Sequence, residues 1–346
     1  MDLQQLVFGK LGDGREVQHF ILSNNNGLTA QITNYGGILI ALNMPDRSGR
    51  IDNVCLGFDD LQGYLGRHPY FGALVGRCAN RIAHGSFEID GRRYQLACNE
   101  KGITHLHGGV LGFDKKLWDA EPFYSQKQAG VKLSGLSPDG DEGYPGNLKV
   151  VVTYTLNEKD ELRIDYQATT DWTTPVNLTN HAYWNFAGAG RATIHDHELM
   201  LNSPSYLPVD ENLLPTGRIA SVFSTPFDFT VPKRIGQDIE AIGGYDHCFV
   251  IARAHAGLVL TARVVDPASG RGMELWTTKP GVQLYTGNFL DNLQGAGGAV
   301  YQKQSALCLE TQFFPDALHH RSFPSCLLYP GKTYHHTTIH KFFIEP

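Results

Sequence analysis

The chain has no pair of cysteines at CxxC spacing, although it carries six: Cys55, Cys78, Cys98, Cys248, Cys308 and Cys326. The usual thiolate zinc motifs are therefore excluded. These residues lie far apart and mostly within apolar stretches such as "ALCLE", which reads as reduced, buried packing. No apolar run approaches the roughly 18 residues of a membrane span. The opening "MDLQQLVFGKLGDG" also lacks a charged region followed by a sustained apolar stretch. A soluble, cytoplasmic protein without a membrane partner is expected. Positive charge is not in excess either: the formal net charge is -6, the pI is about 6.2, and lysines and arginines are scattered. Phosphate backbones need a basic face, so nucleic acid is not an expected partner. GxSxG, GxxxxGK[ST] and a GxGxxG leading from strand into helix are all missing. Their absence removes support for serine-hydrolase, nucleotide and dinucleotide chemistry.

Helical periodicity is scarce too, the best case being "RIGQDIEAI", where Ile235, Ile239 and Ile242 share a side. Strand signals take its place. Val150, Val152, Tyr154 and Leu156 alternate with polar neighbours, "NEKDE" turns, and Leu162, Ile164 and Tyr166 alternate again. In "SFEIDGRRYQL" a two-residue Asp90-Gly91 turn predicts Phe87 opposite Tyr94 and Glu88 opposite Arg93. The 38 glycines and 17 prolines are spread as turn punctuation, with no linker-like concentration and no internal repeat. The pattern predicts an all-β chain, 1–346, built as a single large antiparallel β-sandwich domain with very little helix.

Polar residues stand out against this pattern in a few places. In "THLHG", His105 and His107 would point to the same side of a strand, as metal ligands or as hydrogen-bonding groups in a loop-rimmed site. Only Asp114 follows as a carboxylate, and neither HExxH nor a cysteine pair accompanies them. "NLTNHAYWNF" places His181 among amides and aromatics, with Asn177, Thr179 and His181 on one face of an extended segment. Histidine is the natural proton donor near neutral pH, and flat rings suit the apolar face of a sugar; a satisfied structural histidine is the bland alternative. "ALCLETQFFP" sets Glu310 directly after a short apolar strand, Ala306 to Leu309. It is either a strand-end surface carboxylate or a buried one that requires a partner. Asp246 in "GGYDHCFVI" and Asn80 and Arg81 in "GRCANRIAHG" admit a similar pair of readings, as solvated turns or as site residues.

Taken together, the chain resembles the galactose mutarotase (aldose 1-epimerase) family. The resemblance rests on "NYGGILIALNMPDRSGRIDNVCLGFDDLQGY", "GRCANRIAHGSFEIDG", "HLHGG", "LSPDGDEGYPGNL", "LTNHAYWNF", "YDHCF", "PGVQLYTGN", "ETQFFPDA" and "LYPGKTYHHTT", which follow the family's order. It implies a β-supersandwich that interconverts the α and β anomers of free aldohexoses such as galactose and glucose, with no metal and no organic cofactor. The implied partner is a free monosaccharide, and the chain is expected to be a monomer or weak homodimer. By the same resemblance Glu310 is the catalytic base and His181 the catalytic acid. Asn80, Arg81, His107, Asp246 and Gln283 bind the sugar, and His105 supports them. Two departures from the family pattern are Thr104, where asparagine is frequent, and the segment around Leu318; both are expected to act on sugar preference at the rim. Unperturbed glutamate titrates near about 4.3 and histidine near about 6.5, so Glu310 is expected ionised while His181 needs help to stay protonated. The alternatives on such a scaffold are a hexose-6-phosphate epimerase, a sugar-binding module without catalysis, and a metal enzyme using His105, His107 and a carboxylate.

Overall fold

The computed structural model describes residues 1–346. Three antiparallel sheets carry most of the chain. A five-stranded sheet is formed in chain order by residues 2–53, and a nine-stranded sheet runs from Asp119–Tyr124 at one edge through Thr333–Ile344 to Lys233–Arg234 at the other. The third sheet has six strands in the order Tyr183–Trp184, Leu307–Gln312, Gly281–Tyr285, Asp246–Val250, Ser205–Tyr206 and Ala220–Ser221. One hydrophobic cluster draws on all three sheets, from Phe20 through Val152 and Leu284 to Phe342. This is the layered all-β architecture that the alternating pattern requires. No helix is long and apolar enough to cross a membrane.

The two hairpins read from sequence form in the expected register. Leu148–Asn157 pairs with Glu161–Thr170, Leu156 opposite Leu162, and its burial alternates residue by residue. Phe87 lies opposite Tyr94 and Glu88 opposite Arg93 across a turn whose Asp90 and Gly91 both have positive φ, as a primed two-residue turn demands. The helical reading of "RIGQDIEAI" shrinks to one turn, Gly236–Ile239; Ile235 and Ile239 are still fully buried and Ile242 packs against the core. A second short helix, Leu61–Leu65, is started by the Asp60 carboxylate accepting from the Gly63 N–H.

Glu310 is placed differently from the expectation. The strand spans Leu307–Gln312 and every residue in it is buried, so Glu310 lies inside the strand and is 2% exposed. Strand alternation explains how a carboxylate comes to sit there. Leu307 and Leu309 enter the main core together with Val282, Leu284 and Phe249 from neighbouring strands, while Cys308 and Tyr285 belong to a second cluster on the other face. Glu310, Gln283 and Asp246 share that second face, with Gln283 directly opposite Glu310. Each buried leucine stabilises by about 1.5–3 kcal/mol, which offsets the several kcal/mol that burying one carboxylate costs.

Close approach of the backbone holds this face to the segment carrying His181. Gly72 has φ +63°, donates its N–H to the His181 carbonyl at 3.0 Å, and accepts from the Asn180 amide at 2.7 Å. A Cβ on Gly72 would stand 2.0 Å from the Leu39 carbonyl oxygen. Only glycine meets both the conformation and the space. Gly72→Ala is expected to destabilise the protein by about 3 kcal/mol or more, read as a lower urea midpoint, because steric overlap adds to the φ penalty.

Candidate active site

Six segments distant in sequence converge here. Glu310 Oε1 lies 3.6 Å from His181 Nε2, with side chains 2% and 5% exposed. Neither the other oxygen of Glu310 nor Nδ1 of His181 has a hydrogen-bond partner. The His181 ring stacks on Tyr183 at 5.0 Å and on Tyr70 at 6.0 Å, and lies 5.1 Å from the ring of His107. These tyrosines therefore clamp the histidine, where the sequence had pointed to aromatics as a sugar platform. Tyr183 is itself tethered by its hydroxyl, which donates to the Pro69 carbonyl at 2.9 Å.

His107 falls just outside the strand Thr104–Leu106, at φ +52°, so it does not share a face with His105. His105 points away, its Nδ1 2.8 Å from the Ala97 carbonyl oxygen and its Nε2 2.7 Å from the Tyr144 hydroxyl. The same-side placement that an extended strand would give these two histidines, and that the metal alternative needed, does not form, because the strand ends too early to keep their period. Asn80, also at positive φ, donates its backbone N–H to His107 Nδ1 at 3.2 Å and accepts from the Arg81 N–H through its side-chain oxygen at 2.9 Å. It works as a bracket for its two neighbours.

Arg81 donates through Nε and Nη2 to both oxygens of Glu100, each at 2.8 Å, and its Nη1 lies 3.8 Å from Asp246 Oδ2. Asp246 accepts from the Gln283 amide at 2.7 Å, and Gln283 accepts from Gln312 at 3.2 Å. Every site residue expected from sequence (Glu310, His181, His107, Arg81, Asn80, Asp246 and Gln283) belongs to this connected group. Glu100 was missed: in "CNEKGITH" it reads as a solvated turn residue, and no local pattern distinguishes it. Of the two positions expected to act on sugar preference, Thr104 is buried against Glu100 and Leu318 is half-buried. Thr104 is 2% exposed and donates to Glu100 at 2.6 Å, and Leu318 packs against the small cluster around Phe87 and Tyr94.

Burial governs the protonation of the pair. It pushes Glu310 well above the usual carboxylate range, with the Asp246 charge adding to the effect and Arg81 only partly opposing it. It lowers His181 to about 4 and drives His107 well below an ordinary imidazole. Both shifts oppose the charged forms: desolvation outweighs what Arg81 gives Glu310 and what a backbone hydrogen bond gives His181, so the carboxylate is harder to ionise than expected and the histidine, as expected, needs help to stay protonated. Burial also raises Asp246, more than Arg81 and Gln283 pull it down.

Ligand atoms of His107, His181 and Glu310 lie within 4.8 Å of one another, a separation that could admit a metal ion. The tautomer of His107 opposes this. A neutral imidazole whose Nδ1 accepts an N–H keeps its proton on Nε2, so the nitrogen facing the site is a donor and not a lone pair. Metal-binding histidines are instead held by donating their other N–H. The arrangement offers an N–H from His107, N–H groups from Arg81, acceptors on Asp246, and a proton-exchanging pair, which together suit a polyhydroxylated ligand.

A sequence model of the aldose 1-epimerase family matches residues 18–341. Galactose mutarotase from Bos taurus is 49% identical over 346 residues, covering 99% of each chain, and that from Homo sapiens is 49% identical over 340 residues, covering 97% of each. The crystal structure of an aldose epimerase homologue from C. elegans superposes with a TM-score of 0.88 at 32% identity, over 95% of this chain and 99% of that one. With the fold, the buried glutamate–histidine pair and these likenesses in agreement, the chain belongs to the aldose 1-epimerase family.

Proposed function

We propose that the protein interconverts the α and β anomers of free aldohexoses by acid–base ring opening, with Glu310 and His181 transferring the protons. The observation that carries this is the 3.6 Å approach of a buried carboxylate and a buried imidazole, each with a free hydrogen-bonding atom. Glu310 removes the proton from the C1 hydroxyl, and the electron pair left on that oxygen forms the carbonyl. The C1 to ring-oxygen bond breaks, and the ring oxygen takes the proton of His181. After rotation about C1–C2 the two groups exchange roles and the ring closes on the other face.

The unusual protonation supports this scheme. An ionised Glu310 with a protonated His181 holds the same number of protons as a neutral Glu310 with a neutral His181. Ring opening converts the first arrangement into the second, which is the one burial favours. Desolvation of the ion pair is thus relieved as the sugar opens. His107 and Arg81 donate to sugar hydroxyls, Asp246 accepts from one, and Gln283 and Asn80 hold them in place.

Arg81 is already matched by Glu100 and Asp246, which leaves it no spare charge for a phosphate and favours free sugars over hexose 6-phosphates. The tautomer of His107 favours proton transfer over metal chemistry. We further read residues 1–346 as one domain, supported by a core cluster that spans Phe20 to Phe342, and keep the reading of a monomer or weak homodimer. The six free cysteines support a reducing, cytoplasmic setting.

Polarimetry on freshly dissolved α-galactose is expected to show Glu310→Gln slowed by roughly 1000-fold with galactose affinity largely kept, in line with the usual worth of a general base; near wild-type turnover would remove Glu310 from the mechanism. Glucose 6-phosphate is expected to turn over far more slowly than glucose.

The pair should retain its two protons from about pH 4, where His181 gains a third, up to the raised value of Glu310. The kcat profile is therefore expected to be bell-shaped, its limbs belonging to the pair as a unit. Histidine NMR of the sugar-free protein should find His181 uncharged at neutral pH. A depressed histidine binds protons more readily when unfolded, so its contribution to stability is lost as pH falls from the ordinary value of 6.5 towards 4.

A further inference from the structure

We propose that Glu100, braced by Thr104, is a positioning residue that aims Arg81 into the sugar site and limits the positive charge Arg81 presents to Glu310. This rests on the acid–base reading above. Glu100 reaches the site through Arg81, and Thr104 reaches it through Glu100.

A guanidinium carries five N–H groups in a rigid plane. Two of them, on Nε and Nη2, are taken by the oxygens of Glu100 at 2.8 Å, and this fork fixes the plane. What remains is the far end of the plane, the two N–H groups of Nη1, which lies 3.8 Å from Asp246, and the second N–H of Nη2. Glu100 is itself immobilised. The Thr104 hydroxyl donates to Oε2 at 2.6 Å, and the backbone N–H groups of Glu100 and Ile103 close the intervening turn onto Thr104 and Glu100 carbonyls at 3.1 and 3.0 Å. Thr104–Leu106 pairs antiparallel with Arg81–Ala83, Leu106 opposite Arg81, so the arginine and its brace share one two-stranded ribbon.

The second role is electrostatic. His181, His107, Asp246 and Arg81 are the groups facing Glu310 whose charge can change or matter near neutrality. The phenols of Tyr183 and Tyr285 and the thiols of Cys248 and Cys308 are raised by burial and stay neutral. Arg81 is the one cation among them, and it draws Glu310 towards ionisation. The carboxylate of Glu100 takes up much of that charge and keeps Glu310 basic enough to hold a proton in the open-chain stage.

The test is Glu100→Gln, which keeps the shape and removes the charge, with Thr104→Val and Glu100→Asp beside it. Glu100→Gln is expected to raise the KM for galactose roughly tenfold or more, as loss of a charge-assisted fork does. The alkaline limb of its kcat profile should move to lower pH, because removing an anion favours deprotonated neighbours. A merely structural glutamate would alter the urea midpoint and leave that limb in place. Thr104→Val should give a several-fold KM rise in the same direction, which serves if Glu100→Gln does not fold. Glu100→Asp should return the limb towards the wild-type position. Wild-type KM together with an unmoved limb in Glu100→Gln would overturn the proposal. If the wild-type protein itself fails to speed the mutarotation of α-galactose, the acid–base reading falls, and calorimetric galactose binding decides this role separately: weaker binding in Glu100→Gln sustains the aiming of Arg81, and unchanged binding overturns it.

Discussion

A carboxylate has been taken out of water and set 3.6 Å from an imidazole that has been taken out of water with it. The rest of the site depends on that constraint. In solvent the pair would settle as an ordinary glutamate and an ordinary histidine, one charged and the other mostly neutral near pH 7. Buried together, each is pushed towards its uncharged form. Two leucines on the opposite face of the same strand anchor it in the main core, so the alternation that builds the core also fixes the strand that carries Glu310.

Around the pair the molecule is organised to prevent motion. Tyr183 and Tyr70 stack on His181, Asn80 brackets His107 and Arg81, and Gln312 and Gln283 hold Asp246. Each contact is modest by itself, of the order of 1 kcal/mol for a hydrogen bond. Their common effect is geometric: reacting atoms held within a fraction of an ångström keep their rate advantage, and loosely held ones lose it. Gly72, threaded between the Leu39 carbonyl and the backbone carrying His181, shows how far backbone packing is committed to the same end.

Much was legible along the chain. The period-two alternation at 150–166 and the Asp90-Gly91 turn each specify hydrogen bonding among near neighbours, so the strands and even the register of Phe87 with Tyr94 could be written down in advance. Six of the seven site residues were singled out from the residue pattern, Gln283 and all the roles came by resemblance, and all seven fall in one connected group. Tertiary structure changed two readings and added a residue. Glu310 lies inside its strand and not at its end. His105 does not share a face with His107, because the strand closes at Leu106. Glu100 was invisible, since its significance is the arginine nineteen residues back that folding lays against it.

Local sequence, then, determined the all-β architecture, the turns and the chemical vocabulary of the site, because sterics, side-chain alternation and turn hydrogen bonds act over a few residues. Tertiary structure alone decided which groups meet and in what protonation state. Glu310 and His181 come from segments 129 residues apart, and Arg81 stands 100 residues before His181. Their pKa values are set by the loss of water and by charges brought from those distances, and neither quantity exists until the sheets have packed.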